Sequence, residues 1–151
     1  IAAAMTGLAQ SIFYTPLYDP LFVLQDTVYV FDHCENALLK YNNNQQLLDS
    51  IPINYNHPTR WRDWKHLLLA DKKKNKIYAL YEHNGICNIQ RIDLKTGRIC
   101  GSYELTYPYA TNIKVLNDEV YYTYRPLESL QEMFVYKELI SEKSPLASTV
   151  K

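Results

Sequence analysis

"TVYVFD" (residues 27–32), "KIYALYE" (76–82) and "EVYYTYR" (119–125) repeat one short pattern. Each sets a β-branched residue before a Tyr and then alternates, which is the mark of a strand with one buried face. Each is preceded by an apolar run and a polar turn: "LFVLQD", "HLLLADKKKN" and "NIKVLND". Each is followed, after a second turn, by another strand: "ALLKYN", "ICNIQRIDL" and "EMFVYKEL". The first two units add a fourth strand, "QLLDSIPI" and "RICGSYEL"; the third has no convincing fourth.

The unit is therefore a meander of four short strands, returning at an interval of roughly 40–50 residues, the length of a β-propeller blade. The fold class expected is all-β, with four-stranded antiparallel blades in an incomplete ring of about three. Strands are lettered A to D outward from the axis. Residues 21–56 and 57–110 read as two blades and 111–140 as a partial last one, with 141–151 a tail. Residues 1–20 read as the end of a preceding blade, with an outer strand near 11–18. A non-repeating β-sandwich also has short strands at similar spacing. The recurring D-turn-A-turn-B order and the matched Tyr29, Tyr78 and Tyr121 favour the propeller. Closed propellers have about four to eight blades, so a partial ring leaves edges and a core flank to cover. Further blades of the same chain, or self-association, are the expected covers, and the former is preferred.

Composition narrows the partners. Fourteen Tyr beside four Gly in 151 residues lean towards strands. Apolar residues make up 47% and charged residues 21%, as in a globular chain. Sixteen basic residues balance sixteen acidic ones, which excludes the positive excess a nucleic-acid binder needs. No apolar run reaches a membrane span, and the start "IAAAMTGLAQ" lacks the basic region and apolar stretch of a signal peptide. The basic run "DKKKNK" (71–76) reads as a solvated turn. Three Cys, an odd number, read as thiols rather than a disulfide framework.

Alternating turns sort the loops onto two faces. The A–B and C–D turns ("QD", "NNNQ", "DKKKN", "LKTG", "ND") are short and polar. The B–C and D–A connections ("DHCEN", "NYNHPTRWRDW", "EHNG", "TYPYA", "RPLESLQ") hold the chemistry-bearing side chains. Loops on a rigid scaffold are where function is usually carried. The ligand-binding candidates on that face are His33, His57, Arg60, Trp61, His83, Tyr107, Tyr109 and Arg125. Aromatic rings with Arg and Asn beside them suit a glycan, peptide or protein ligand. Against this stands plain packing. Large aromatics are mostly buried, so Trp61 and Trp64 in "HPTRWRDWKH" (57–66) are expected to seal blade against blade, leaving His57 and Arg60 at the rim. His66 is expected to satisfy a backbone group.

His33, Cys34, Glu35, His57 and His83 share the face, but no spacing matches a metal-ligand clip. No metal or cofactor is expected, and no catalytic residue is assigned: the chain has no nucleophile elbow, zinc-helix motif or Gly-rich phosphate loop. The enzymatic alternative is a propeller hydrolase or lyase in which Glu35 or Glu128 approaches His57 or His83 at the channel mouth, with Glu82 nearby.

"VYVFDH", "LLKYN", "WKHLLLADKKKNKIYALYEHNG", "RIDLKTGRI", "YPYATNIKVLNDEVYYTYRP" and "FVYKE" resemble the last blades of a six-bladed β-propeller family of Bacteroides-type bacteria, in the TolB-like and NHL-like group. The resemblance covers residues 21–138. It implies a six-bladed parent, exported to the periplasm or cell surface, and carries no catalytic set.

Overall fold

A computed structural model describes residues 18–126 and 133–141. Eleven strands among them form three antiparallel sheets, each a simple meander. Blade 1 is β1 (Leu21–Leu24), β2 (Thr27–Asp32), β3 (Ala37–Asn42) and β4 (Leu47–Pro52). Blade 2 is β5 (Trp64–Asp71), β6 (Lys76–His83), β7 (Ile86–Ile92) and β8 (Ile99–Glu104). Blade 3 is β9 (Thr111–Leu116), β10 (Glu119–Tyr124) and β11 (Phe134–Leu139). The blades thus follow the repeat, and the sheets remain open rather than closing a ring. The expected strand near 11–18 falls almost wholly outside the described residues.

Period-two alternation gives each sheet two faces, and one rule assigns them. In β6, Ile77, Ala79 and Tyr81 face blade 1, whereas Tyr78 and Leu80 face blade 3. The first seam joins Phe31, Leu38 and Ile51 of blade 1 to Leu68, Ile77, Ala79 and Ile92 of blade 2. The second joins Leu69, Tyr78, Cys87 and Ile89 of blade 2 to Ile113, Val115, Val120 and Tyr122 of blade 3. β5 runs beside β9, as neighbouring inner strands do.

Turns pin the blades together. Gly97, in the β7–β8 turn, has φ +69°, and a Cβ there would lie 2.3 Å from the Pro52 carbonyl oxygen of blade 1. Only glycine permits both that backbone and that approach. The turn after β5, expected to be solvated, begins with a fully buried carboxylate, Asp71. Its Oδ2 accepts the Asp118 N–H of blade 3 at 2.7 Å, and Oδ1 accepts the N–H groups of Lys73 (3.1 Å) and Lys74 (3.3 Å). Burial works against its charge, but these donors and the Asn117 N–H outweigh it and hold the carboxyl below the usual carboxylate range. Asp118 in turn pairs with Lys76 at 2.6 Å and Lys74 at 3.6 Å. No disulfide joins the cysteines: Cys34 is exposed, Cys87 buried and Cys100 half-buried.

Candidate functional site

The connector from β4 to β5 is "INYNHPTRWRDW". Pro58 stiffens it, and Trp61–Asp63 form a 3-10 turn. With the face of blade 2 that looks toward blade 1, it encloses a cleft of about 630 Å³, within the size range of ligand sites. Tyr55 and Tyr81 line it and are themselves nearly buried, with the Tyr81 hydroxyl donating to the Tyr55 carbonyl at 2.6 Å. Pro58, Ile86 and Ile99 add apolar wall; Asn54, Thr59, Arg60, Asp63, His83, Asn88, Gln90 and Glu104 add polar groups. The Asn88 Oδ1 is buried and has no hydrogen-bond partner among the described residues.

Arg60, His83 and Asp63 form a chain on this wall. Arg60 Nη1 donates to His83 Nε2 at 2.7 Å, and His83 Nδ1 lies 3.1 Å from Asp63 Oδ1. A guanidinium can only donate, so Nε2 accepts, Nδ1 carries the proton, and Nδ1–H donates to Asp63. The two partners thus fix one tautomer of the imidazole, as a second partner commonly dictates.

The eight candidates separate into distinct places. Arg60 and His83 line the cleft. Trp61 sits in the same 3-10 turn, 70% exposed, with the Arg62 guanidinium 5.2 Å above its ring. The expectation that both Trp residues seal the blades is corrected: Trp64 is buried in the first seam and Trp61 stands in solvent. The two are three residues apart, but only Trp64, which follows the 3-10 turn and opens β5, is directed inward. His57 is exposed; its Nε2–H donates to Asn36 Oδ1 at 2.9 Å, an oxygen that also accepts from Asn56 Nδ2 at 2.6 Å.

His33 is packed rather than open. Its Nδ1–H donates to the Tyr18 carbonyl, and Nε2 accepts from the Tyr55 hydroxyl at 2.6 Å. Its ring stacks on Tyr18 at 5.5 Å and lies 4.9 Å from Trp64. Burial pushes this imidazole below its ordinary pKa. His66, expected to satisfy a backbone group, instead stacks on Trp64 at 4.1 Å and is exposed, in left-handed backbone (φ +50°) where the β5–β6 register slips.

Tyr107 belongs to the second seam, stacked 4.8 Å from Tyr124 and tilted against Tyr136 at 4.5 Å. Tyr109 is exposed; its ring covers Gly85, where an added Cβ would come within 2.4 Å. Arg125 is exposed just beyond β10. Behind the Tyr stack, Glu138 accepts from the hydroxyls of Tyr103 (2.9 Å) and Tyr122, tying β11 to blade 2.

The enzymatic alternative needs a glutamate against His57 or His83. The acid that His83 meets is Asp63, and His57 meets Asn36. Glu82 pairs with Lys65 at 3.0 Å, Glu35 is exposed, and Glu128 lies outside the described residues. Among the described residues no three His, Cys, Asp or Glu side chains are placed to hold a metal ion, and no helix is long and apolar enough to cross a membrane.

Sequence reasoning missed Asp63, Asn88, Gln90 and Glu104. A signal for two of them was present: "ICNIQRI" puts Asn88 and Gln90 on a strand face that is otherwise apolar at the seam.

No family model matches the chain, and no curated protein matches it. Among solved structures, one described as the Dos1 propeller aligns at 20% identity with a TM-score of 0.36, over 74% of this chain and 29% of that one. This chain spans less than a third of that propeller's length. The assignment of β-propeller blades rests on this chain's own sheets and seams.

Proposed function

We propose that the chain is a non-catalytic binding or scaffold module that seats a glycan, peptide or protein segment in the cleft between blades 1 and 2. The observation that carries this is the convergence there of a Tyr-lined floor, an oriented Arg60–His83–Asp63 chain and an unpartnered buried acceptor, Asn88 Oδ1. A buried polar atom without a partner is costly, and a ligand N–H or O–H would relieve it. Exposed Trp61 on the adjoining turn offers a flat surface for a sugar ring or an apolar side chain.

The finer reading comes from the family resemblance. The chain supplies the last blades of a six-bladed bacterial propeller, exported to the periplasm or cell surface, whose remaining blades belong to the same parent or come from association of copies. The test is a glycan array, a peptide library and a pull-down with the wild-type chain, Arg60→Ala and Asn88→Leu. Each variant is expected to lose at least tenfold in affinity for whatever the wild type binds. Absence of any wild-type ligand, or ligand binding indifferent to both variants, defeats the proposal. Fractionation of cells making the native protein checks the export.

A further inference from the structure

Across blade 2 the register sets Tyr81, Asn88 and Glu104 in one row on β6, β7 and β8. Residues directly opposite one another share a sheet face, with Cβ atoms about 5 Å apart, and all three line the cleft. Glu104 stands apart from the other strand glutamates. Glu82 pairs with Lys65 at 3.0 Å, Glu119 pairs with Lys137 at 2.9 Å, and Glu138 accepts from Tyr103 at 2.9 Å. Glu104 has neither a cation nor a hydrogen-bond donor among the described residues. Beside it in the row, the buried Asn88 Oδ1 also lacks a donor. Two acceptors therefore stand side by side with no donor between them.

The rest of the wall does not supply one. Tyr55 and Tyr81 give their hydroxyls to His33 and to the Tyr55 carbonyl, so they offer a ligand ring surface only. Arg60 is exposed, donates to His83 and makes no ion pair among the described residues. Asp63 adds a second carboxylate, of which only Oδ1 has a partner, His83. Two carboxylates thus line the cleft against one guanidinium.

We propose that the group this cleft takes is a Lys or Arg side chain of a peptide or protein segment, an inference that rests on the binding-module reading above. The charged head meets Glu104 and Asn88, and the methylene stem lies along Ile86, Ile99 and Pro58. Long basic side chains divide in this way, with the stem on apolar surface and the head on acceptors. A Tyr ring beside the head adds cation–π attraction. An anion would be drawn to Arg60 but would share the cleft with both carboxylates. A sugar ring, amino sugars included, carries hydroxyls on every side and would set several against Ile86, Ile99 and Pro58, where they find no partner.

The test is a positional-scanning hexapeptide library with norleucine in its residue set, beside a glycan array that includes chitosan oligomers. Both are applied to the wild-type 151-residue chain, Glu104→Gln and Glu104→Lys. Glu104 is exposed, so both variants should fold, which circular dichroism checks; should Glu104→Lys fail to, Glu104→Gln decides alone. Expected is a preference for Lys or Arg over norleucine of about tenfold or more at one position. Glu104→Gln should lose it, and Glu104→Lys should prefer Asp or Glu there instead. Norleucine bound as well as Lys, or a preference unchanged in Glu104→Gln, overturns the inference. Chitosan oligomers bound with no basic peptide make an amino sugar the occupant and likewise overturn it. A neutral or acidic ligand that is lost in Arg60→Ala, with no basic peptide bound, overturns it too but leaves the binding-module reading in place. A wild-type chain that binds nothing in either screen removes both readings together.

Discussion

The two seams of this molecule are built from the same repeat but closed by different chemistry. The first is closed by packing. Phe31, Tyr55 and Trp64 lie in its core, Tyr18 packs against them, and neutral His33 bridges a carbonyl and a phenol. The second is closed by carboxylates: fully buried Asp71 gathers backbone N–H groups from its own turn and from blade 3, and half-buried Glu138 gathers two Tyr hydroxyls. Tyr103, one of the two, has its phenol pushed up to about 12 by burial and by that carboxylate. Sheets stacked on an apolar layer tolerate different fasteners at their margins. The choice of fastener sets how each seam responds to mutation and pH, and where a cleft is left open.

The largest expected effect is on the packed seam. Trp64→Ala should cost about 3–5 kcal/mol, as for large aromatic truncations in a core, measured by urea denaturation. A loss under about 1 kcal/mol would mean that Trp64 does not hold blades 1 and 2 together. On the carboxylate seam, Asp71→Ala should cost about 2–3 kcal/mol, because it leaves buried N–H donors without their charged acceptor. Asp71→Asn, which keeps an acceptor oxygen, should cost less. The ranking of the two seams is inverted if Asp71→Ala proves worse than Trp64→Ala.

Gly97→Ala should destabilise by about 1–3 kcal/mol, because the residue holds a left-handed backbone and faces the Pro52 carbonyl. A neutral result would mean that the β7–β8 turn does not touch blade 1 so closely.

Acid separates the seams. A His33 pKa below the ordinary 6.5 means the unfolded state binds the proton first. Its contribution is complete above pH 6.5 and fades as pH falls from there through the folded pKa. The Asp71 pKa lies below the ordinary 3.8, so its contribution persists to lower pH and fades only below that value. Hydrogen exchange at stepped pH should therefore show β1–β2 amides loosening before those of β9–β10. His33→Phe should blunt the first phase and leave the second unchanged.

The smallest effect is expected at Trp61→Ala. An exposed side chain away from core contacts should change stability by no more than about 0.5 kcal/mol. Its tryptophan fluorescence should vanish while that of buried Trp64 persists. A ligand in the cleft should perturb the Trp61 signal in the wild type.

Legibility followed the range of the interaction. The blades were readable because alternation and turn residues act over a few neighbours: Val28–Tyr29, Ile77–Tyr78 and Val120–Tyr121 each announce a strand without help from elsewhere. The same Tyr position then has three environments. Tyr29 is half-buried, Tyr78 fully buried, and Tyr121 turns its hydroxyl to Glu119. Nothing within the repeat distinguishes them, because each depends on the blade in front. Arg60 and His83 were read onto one face, yet their chain through Asp63 was not foreseeable, since it needs the connector and the end of β6, twenty residues apart, to meet.

What the sequence determined by itself was the all-β repeat, the strand order and the two loop faces, all fixed by period-two patterning and local turn chemistry. The tertiary structure alone decided that Trp64 enters a seam while Trp61 stays out, that Asp71 is a buried clamp rather than a solvated turn residue, and that Asn88 and Gln90 open onto a cleft. The physical reason is that burial and hydrogen-bond satisfaction are properties of two sheets in contact. Neither is written in the strand that supplies only one of them.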